Sequence, residues 1–297
     1  MAVVLLGAGA SFGSEEEAIS TPPLGPSLFK ELVKKGGVAS ELSEELKQKF
    51  EDDFEKGMEA YYEGTNKNIM TFQRELAEYL ASFKPSDNNV YLDLIRELGN
   101  ENVIYSSLNY DLLFELSVFK LGYHITYHSN YAQDDFCILK IHGSSNFWPN
   151  IPEVLANGFE YEGNGIGDIN AGIKPVSQPE TLHKCANWGS VAPAIAMFAV
   201  GKEVRVCNSY VEEQYAMWKA EVEKSSQIFI VGVRVHEVDE HIWSLLGRIE
   251  GDVTYFGFES DKAAFDRWKS THQKKNADFV NSDFKNAVPI MKQRIRQ

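Results

Sequence analysis

Four stretches of this chain combine residue types that can do chemistry, and each follows a short apolar run. The first is Gly7-Ala8-Gly9-Ala10-Ser11, which ends the run Ala2-Val3-Val4-Leu5-Leu6. The second is Ser107-Leu108-Asn109-Tyr110-Asp111, the third His142-Gly143-Ser144, and the fourth Gly232, with Asp239 and His241 shortly after it. A glycine turn suits a diphosphate, because Gly7 and Gly9 have no Cβ to keep the backbone away and free N–H groups would face the phosphates. A helix starting at or just after Ala10 would add roughly 0.3–1 kcal/mol of attraction for an anion. His142 supplies an imidazole, the side chain best suited to moving protons near neutral pH. Asn109 supplies an amide, and Asp111 and Asp239 supply carboxylates.

Only one kind of scaffold brings such stretches together. Apolar runs at 2–6, 103–108, 137–141, 227–233, 253–258 and 278–280 alternate with helical periods, and that alternation makes a mostly parallel sheet covered on both faces. Ligands of such sheets bind beyond the carboxyl ends of the strands. The expected fold is therefore a Rossmann-like, doubly wound α/β domain. Its core is read as 1–35, 86–147 and 190–297, with a helical insertion over 36–85 and a loop-rich insertion over 148–189.

The insertion is read from periodicity. Leu42, Leu46, Phe50, Phe54, Met58 and Tyr62 recur every four residues and predict one long helix. Ile69, Phe72, Leu76, Tyr79, Leu80 and Phe83 predict a second, and Tyr91, Leu94, Ile95 and Leu98 a third that Gly99 ends. The prolines of 20–26 predict a loop, either a lid over the first turn or a plain connection. Between about 145 and 189 no period is sustained, which predicts long surface loops.

Composition excludes several function classes. A net charge of −14 over 297 residues opposes binding to nucleic acid, and the basic clusters Lys274-Lys275 and Lys292, Arg294 and Arg296 read as solvated helix ends. No apolar run is long enough for a bilayer span. Cys137, Cys185 and Cys207 are odd in number with no C-x-x-C pair, so neither a disulfide framework nor a zinc ribbon is encoded. Reduced thiols in a cytoplasm fit best.

Each site residue also has a plainer reading. A dinucleotide fingerprint wants glycine at its sixth position, where this chain has Phe12; Gly13 comes one residue late, and Glu15-Glu16-Glu17 arrive too early to reach a ribose. The turn is an ordinary strand-to-helix connection or a phosphate cradle. Asn109 and Asp111 can cap a helix, and His142 can be a core histidine. Glu237, Asp239 and His241 imitate a metal site, with nucleotide binding or helix capping favoured, and no metal is expected.

Taken together, the motifs resemble the sirtuin superfamily, whose members open on G-A-G-A-S and carry N-x-D and then H-G; this chain has all three in that order. The stretch Ile230-Val231-Gly232-Val233, with Asp239 and His241 after it, is similar to the family's adenosine-side motif, although Arg234 stands where a small polar residue is usual. The four zinc-binding cysteines of the deacylases have no counterpart. The zinc-less pattern, with Thr21-Pro22-Pro23-Leu24-Gly25 and a helical insertion, is similar to sirtuin-like domains of prokaryotic anti-phage systems that destroy NAD. That resemblance implies NAD as substrate, with Gly7, Ala8, Gly9, Ser11, Asp111, Ser144, Gly232 and Asp239 binding it. It implies His142 as base toward water or a ribose hydroxyl, and Asn109 as a partner of ribose and water.

The activity so implied is hydrolysis of NAD to nicotinamide and ADP-ribose by a defence effector controlled through a homo-oligomer or a partner protein. The alternatives are an NAD-dependent deacylase or ADP-ribosyl transferase, and a module that senses NAD or ADP-ribose without turnover.

Overall fold

The computed structural model describes residues 1–16, 21–65, 68–130, 132, 135–157, 169–196, 206–236 and 239–296. Its centre is a seven-stranded sheet in the order β3-β4-β2-β1-β7-β8-β9, and every adjacent pair in it is parallel. The strands are β1 (Ala2–Leu6), β2 (Val103–Ser107), β3 (His124–Thr126), β4 (Asp135–Lys140), β7 (Gln227–Val231), β8 (Asp252–Gly257) and β9 (Ala277–Asn281). A separate antiparallel pair joins β5 (Phe147–Pro149) to β6 (Ile173–Pro175). β1 is buried along its whole length, as expected for the central strand of a sheet covered on both faces. One face holds a cluster that includes Val4, Leu6, Tyr105, Phe229 and Phe256, and the other holds Val3, Leu5, Ile230, Trp243 and Trp268.

Helices α1 (Ala8–Phe12), α2 (Gly25–Lys35), α3 (Val38–Glu41), α4 (Glu44–Asp52), α5 (Phe54–Gly64), α6 (Met70–Ala81) and α7 (Val90–Leu98) lie between β1 and β2 in the chain. After β2 come α8 (Leu113–Lys120), α9 (Glu153–Ala156), α10 (Gln178–Asn187), α11 (Asn208–Lys224), α12 (Glu240–Arg248), α13 (Glu259–Thr271) and α14 (Phe284–Ile295). The expected doubly wound, mostly parallel α/β architecture is the one observed. Cys137, Cys185 and Cys207 are all free thiols. No helix among the described residues is long and apolar enough to cross a membrane.

Three local expectations need correction. The stripe from Leu42 to Tyr62 is two helices preceded by the extended Leu42, because Asp53 leaves the helical region (φ −157°, ψ 116°) and caps α5 by accepting from the amides of Glu55 and Lys56. α5 then folds back on α4: a Cβ on Gly57 would lie 2.3 Å from the Phe50 ring, and Phe50 stacks on Phe29 of α2 at 4.3 Å. Both halves kept one apolar stripe because both face the same cluster of Phe29, Phe50, Phe54, Phe72 and Tyr61.

The region 145–189 is not simply surface loop. β5, β6 and the ten-residue α10 enclose a small core of Trp148, Ala156, Val176, Trp188 and Val191, and Ser177 caps α10; residues 158–168 lie outside the described residues. Short strands of three residues are too brief for periodicity to register, and the same holds for β3, which extends the sheet beyond β4. Lys274, finally, is not a solvated helix end. It is buried and donates to the carbonyls of Ile249 and Gly251, and burial lowers its pKa.

Candidate active site

The four motif-bearing strands, β4, β2, β1 and β7, are consecutive in the sheet. The chain leaves β1 toward β2 on one side and returns to β7 on the other, so the strand order reverses at β1, where α/β sheets bind their ligands. Hydrogen bonds tie the four strand ends into one unit.

The glycine turn meets the end of β7. Gly7 N–H donates to Val231 O at 2.9 Å, and Gly9 N–H donates to Gly232 O at 3.0 Å. A Cβ on Gly7 would lie 2.3 Å from Gly232 O, and one on Gly232, whose φ is +66°, would lie 2.1 Å from Ala10 N. The missing side chains therefore make room for the other turn, and the amides of Gly7 and Gly9 are occupied rather than free for phosphates. α1 begins at Ala8, two residues earlier than the sequence suggests, and runs for five residues.

Asn109 joins β2 to the same turn. Its Nδ2 donates to Gly7 O at 2.8 Å and to Ser11 Oγ at 2.9 Å, and its own amide is held by Ser107 Oγ at 2.9 Å. Asn109 Oδ1 is buried with no hydrogen-bond partner. Ser11 is itself buried, and its hydroxyl meets Tyr91 OH at 2.9 Å. Asp111 Oδ1 accepts from Leu113 N–H at 3.0 Å, an Asx turn that starts α8. Lys140 and Glu115 support this corner from within: Lys140 Nζ donates to Asp111 O at 2.8 Å and lies 3.2 Å from Glu115 Oε1, with both side chains fully enclosed. Burial pushes the Glu115 carboxyl up from its ordinary value against the opposing pull of Lys140.

The turn after β4 docks on the chain at 194–196. Gly143, with φ +80°, has Ala194 O where a Cβ would stand, 2.0 Å away. Ser144 N–H donates to Ala194 O, and Ala196 N–H donates to His142 O. Ser145 N–H and Oγ both donate to Tyr110 O, while Tyr110 OH donates to Ala196 O at 2.7 Å. These contacts hold the ends of β2 and β4 side by side. Ser144 Oγ is buried with no hydrogen-bond partner.

His142 reaches across to the segment after β7. Its Nε2 lies 3.2 Å from His241 Nε2 and 3.8 Å from Asp239 Oδ1. Asp239 occupies the cap position of α12 but makes no capping hydrogen bond with its side chain. Tyr215 OH donates to His241 O at 3.1 Å, and its ring packs on the His241 imidazole. The structure thus brings His142, Asp239 and His241 together, with ligand-type atoms all within 4.8 Å of one another. Glu237, the other member of the sequence-level set, lies outside the described residues.

Several supporting residues escaped the sequence reading. Tyr91 looked like part of a packing stripe, Tyr110 like a spacer between Asn109 and Asp111, and Ala194 to Ala196 carried no period at all. Lys140 was the one available clue, a charge at the end of an otherwise apolar strand.

No family model matches the chain, and no curated protein matches it. Among solved structures, the chain is similar to a point mutant of a Sir2 homologue in complex with ADP-ribose, at 17% identity over 99% of this chain and 91% of that one, with a TM-score of 0.47. It is also similar to a structure solved to show the structural basis of sirtuin substrate affinity, at 12% identity over 99% of this chain and 93% of that one, with a TM-score of 0.49.

Proposed function

We propose that the protein is a zinc-independent NAD glycohydrolase that splits the nicotinamide–ribose bond to give nicotinamide and ADP-ribose. The observation that carries this reading is the pairing of a fixed amide with an imidazole at adjacent strand ends. Asn109 is immobilised through both its backbone and its Nδ2, and it keeps a buried Oδ1 that accepts nothing. An acceptor so placed can orient a ribose hydroxyl or the attacking water without reorganising, which is how preorganised sites lower a barrier.

The chemistry balances with the residues present. The C1′–N1 bond breaks, and nicotinamide departs neutral with the bonding electron pair. Positive charge builds on the ribose ring as water approaches C1′. The new C1′–O bond forms as His142 takes the water proton, a step for which a general base contributes typically 10²–10⁴-fold. Asp111 and Asp239 supply negative potential toward the cationic sugar. Gly7, Ala8, Gly9, Ser11, Ser144 and Gly232 belong to this reading as the frame around the nucleotide; the occupied amides of Gly7 and Gly9 make their role one of shaping the turn.

Unrestrained hydrolysis of NAD would poison a cell, so this reading includes control by assembly or by a partner protein. The resemblance to zinc-less anti-phage domains supports a role as a defence effector. A time course of NAD products by mass spectrometry tests the reaction: equal amounts of nicotinamide and ADP-ribose support it. Formation of O-acyl-ADP-ribose only when an acylated peptide is added would replace it with group transfer.

A further inference from the structure

We propose that His142, Asp239 and His241 form a binding site for one divalent transition-metal ion, and that metal binding there switches off NAD cleavage by taking the His142 imidazole. The regulatory half of this statement rests on the function proposed above; the metal site does not.

The geometry is that of a chelate. Two imidazole nitrogens that share a metal at about 2.0–2.1 Å in tetrahedral coordination stand about 3.3 Å apart, and His142 Nε2 and His241 Nε2 stand 3.2 Å apart. Asp239 Oδ1 lies 3.8 Å from His142 Nε2, and all three ligand atoms fall within 4.8 Å of one another. Two nitrogens and one carboxylate oxygen give a monoanionic donor set that suits zinc, cobalt or nickel and disfavours magnesium or calcium, which prefer all-oxygen shells. Three protein ligands leave a fourth position for water or solvent ions.

The surroundings fix the donors. His142 follows β4 and is anchored through its carbonyl by Ala196 N–H, while His241 is anchored through its carbonyl by Tyr215 OH. Asp239 and His241, with one residue between them, stand at the start of α12, so the site joins the turn after β4 to the segment after β7. The Asp239 side chain is 15% exposed, which leaves an approach for an ion from solvent. A metal held on Nε2 removes the lone pair with which His142 would accept the proton of water. Metal occupancy and base catalysis therefore exclude each other, which gives a toxic activity a simple off state.

The experiment uses the chelator-treated full chain and cobalt(II) as the probe, without NAD. The expected result is one equivalent of cobalt bound, with visible d–d absorption, displacement by zinc and a raised melting temperature in zinc. His241→Ala and His241→Gln, each confirmed folded by circular dichroism, should lose the absorption. In a second arm, saturating zinc should depress NAD loss by roughly 100-fold or more, the contribution expected of a general base, and EDTA should restore it. Absence of the cobalt spectrum, or its persistence in both His241 variants, overturns the site. A normal cobalt spectrum with equal NAD cleavage in zinc and in EDTA overturns the switch. If the protein cleaves no NAD under any condition, the function fails and the cobalt arm still decides the site.

Discussion

Asn109 Nδ2 donates to Gly7 O at 2.8 Å, so the amide at the end of β2 holds the carbonyl of the glycine turn at the end of β1. This bond joins the two halves of the site, and it makes the Asn109 variants informative. Asn109→Ala should remove the orienting acceptor and reduce NAD cleavage by at least 100-fold, while the lost hydrogen bonds lower stability by about 1–3 kcal/mol. Asn109→Asp should be less stable still, because it sets a carboxylate oxygen against Gly7 O. Urea unfolding of the three proteins, with product quantification by chromatography, checks this order. Equal stability of Asn109→Asp and the parent would show that the bond is not made.

The turn contacts predict a different failure at Gly232. Alanine there must adopt φ +66° with its Cβ 2.1 Å from Ala10 N, so Gly232→Ala should cost well over about 1 kcal/mol and displace the first turn. A melting scan should show a lowered midpoint. An unchanged midpoint would mean that the two turns do not touch.

Glu115 gives the fold a pH signature. Burial raises its carboxyl above the ordinary value of 4.5, so the folded chain holds that proton to higher pH than the unfolded chain does. The stabilising contribution is complete below the ordinary glutamate range and is lost as pH rises through the folded value. Unfolding free energy should therefore carry a declining component above about pH 4.5. Glu115→Gln cannot titrate and should flatten it. Urea midpoints collected across that range for both proteins provide the comparison, and parallel curves would contradict the assignment.

The thiols make a simpler case. Burial pushes Cys137 and Cys185 up to about 12 and also raises Cys207, so few thiolates exist at pH 8. Ellman's reagent should titrate less than one thiol in the native protein and three after denaturation. Rapid native reaction of Cys137, fully enclosed in β4, would mean that the sheet opens at that strand.

Much of this was legible in the residues because strand ends in a parallel sheet carry the function and the apolar runs mark the strands. Val103 to Ser107, Cys137 to Ile141 and Gln227 to Val231 announced themselves as buried runs, and Asn109, His142 and Gly232 followed them closely. What stayed hidden depended on tertiary partners. Gly9 reads as a phosphate glycine until Gly232 O is found on its amide. Asp239 reads as a helix cap until His142 arrives from a strand 99 residues before His241 in the chain. The break at Asp53 was equally invisible, since α4 and α5 keep one stripe while they fold back onto the Phe50 cluster.

Product release from NAD by the purified full chain, His142→Ala and Asn109→Ala, at matched concentrations across a wide protein range, decides whether Asn109 and His142 together hydrolyse NAD. The parent should release nicotinamide and ADP-ribose in equal amounts, and each folded variant should release neither. NAD that binds and stays intact at every parent concentration, or cleavage undiminished in both variants, would contradict this expectation.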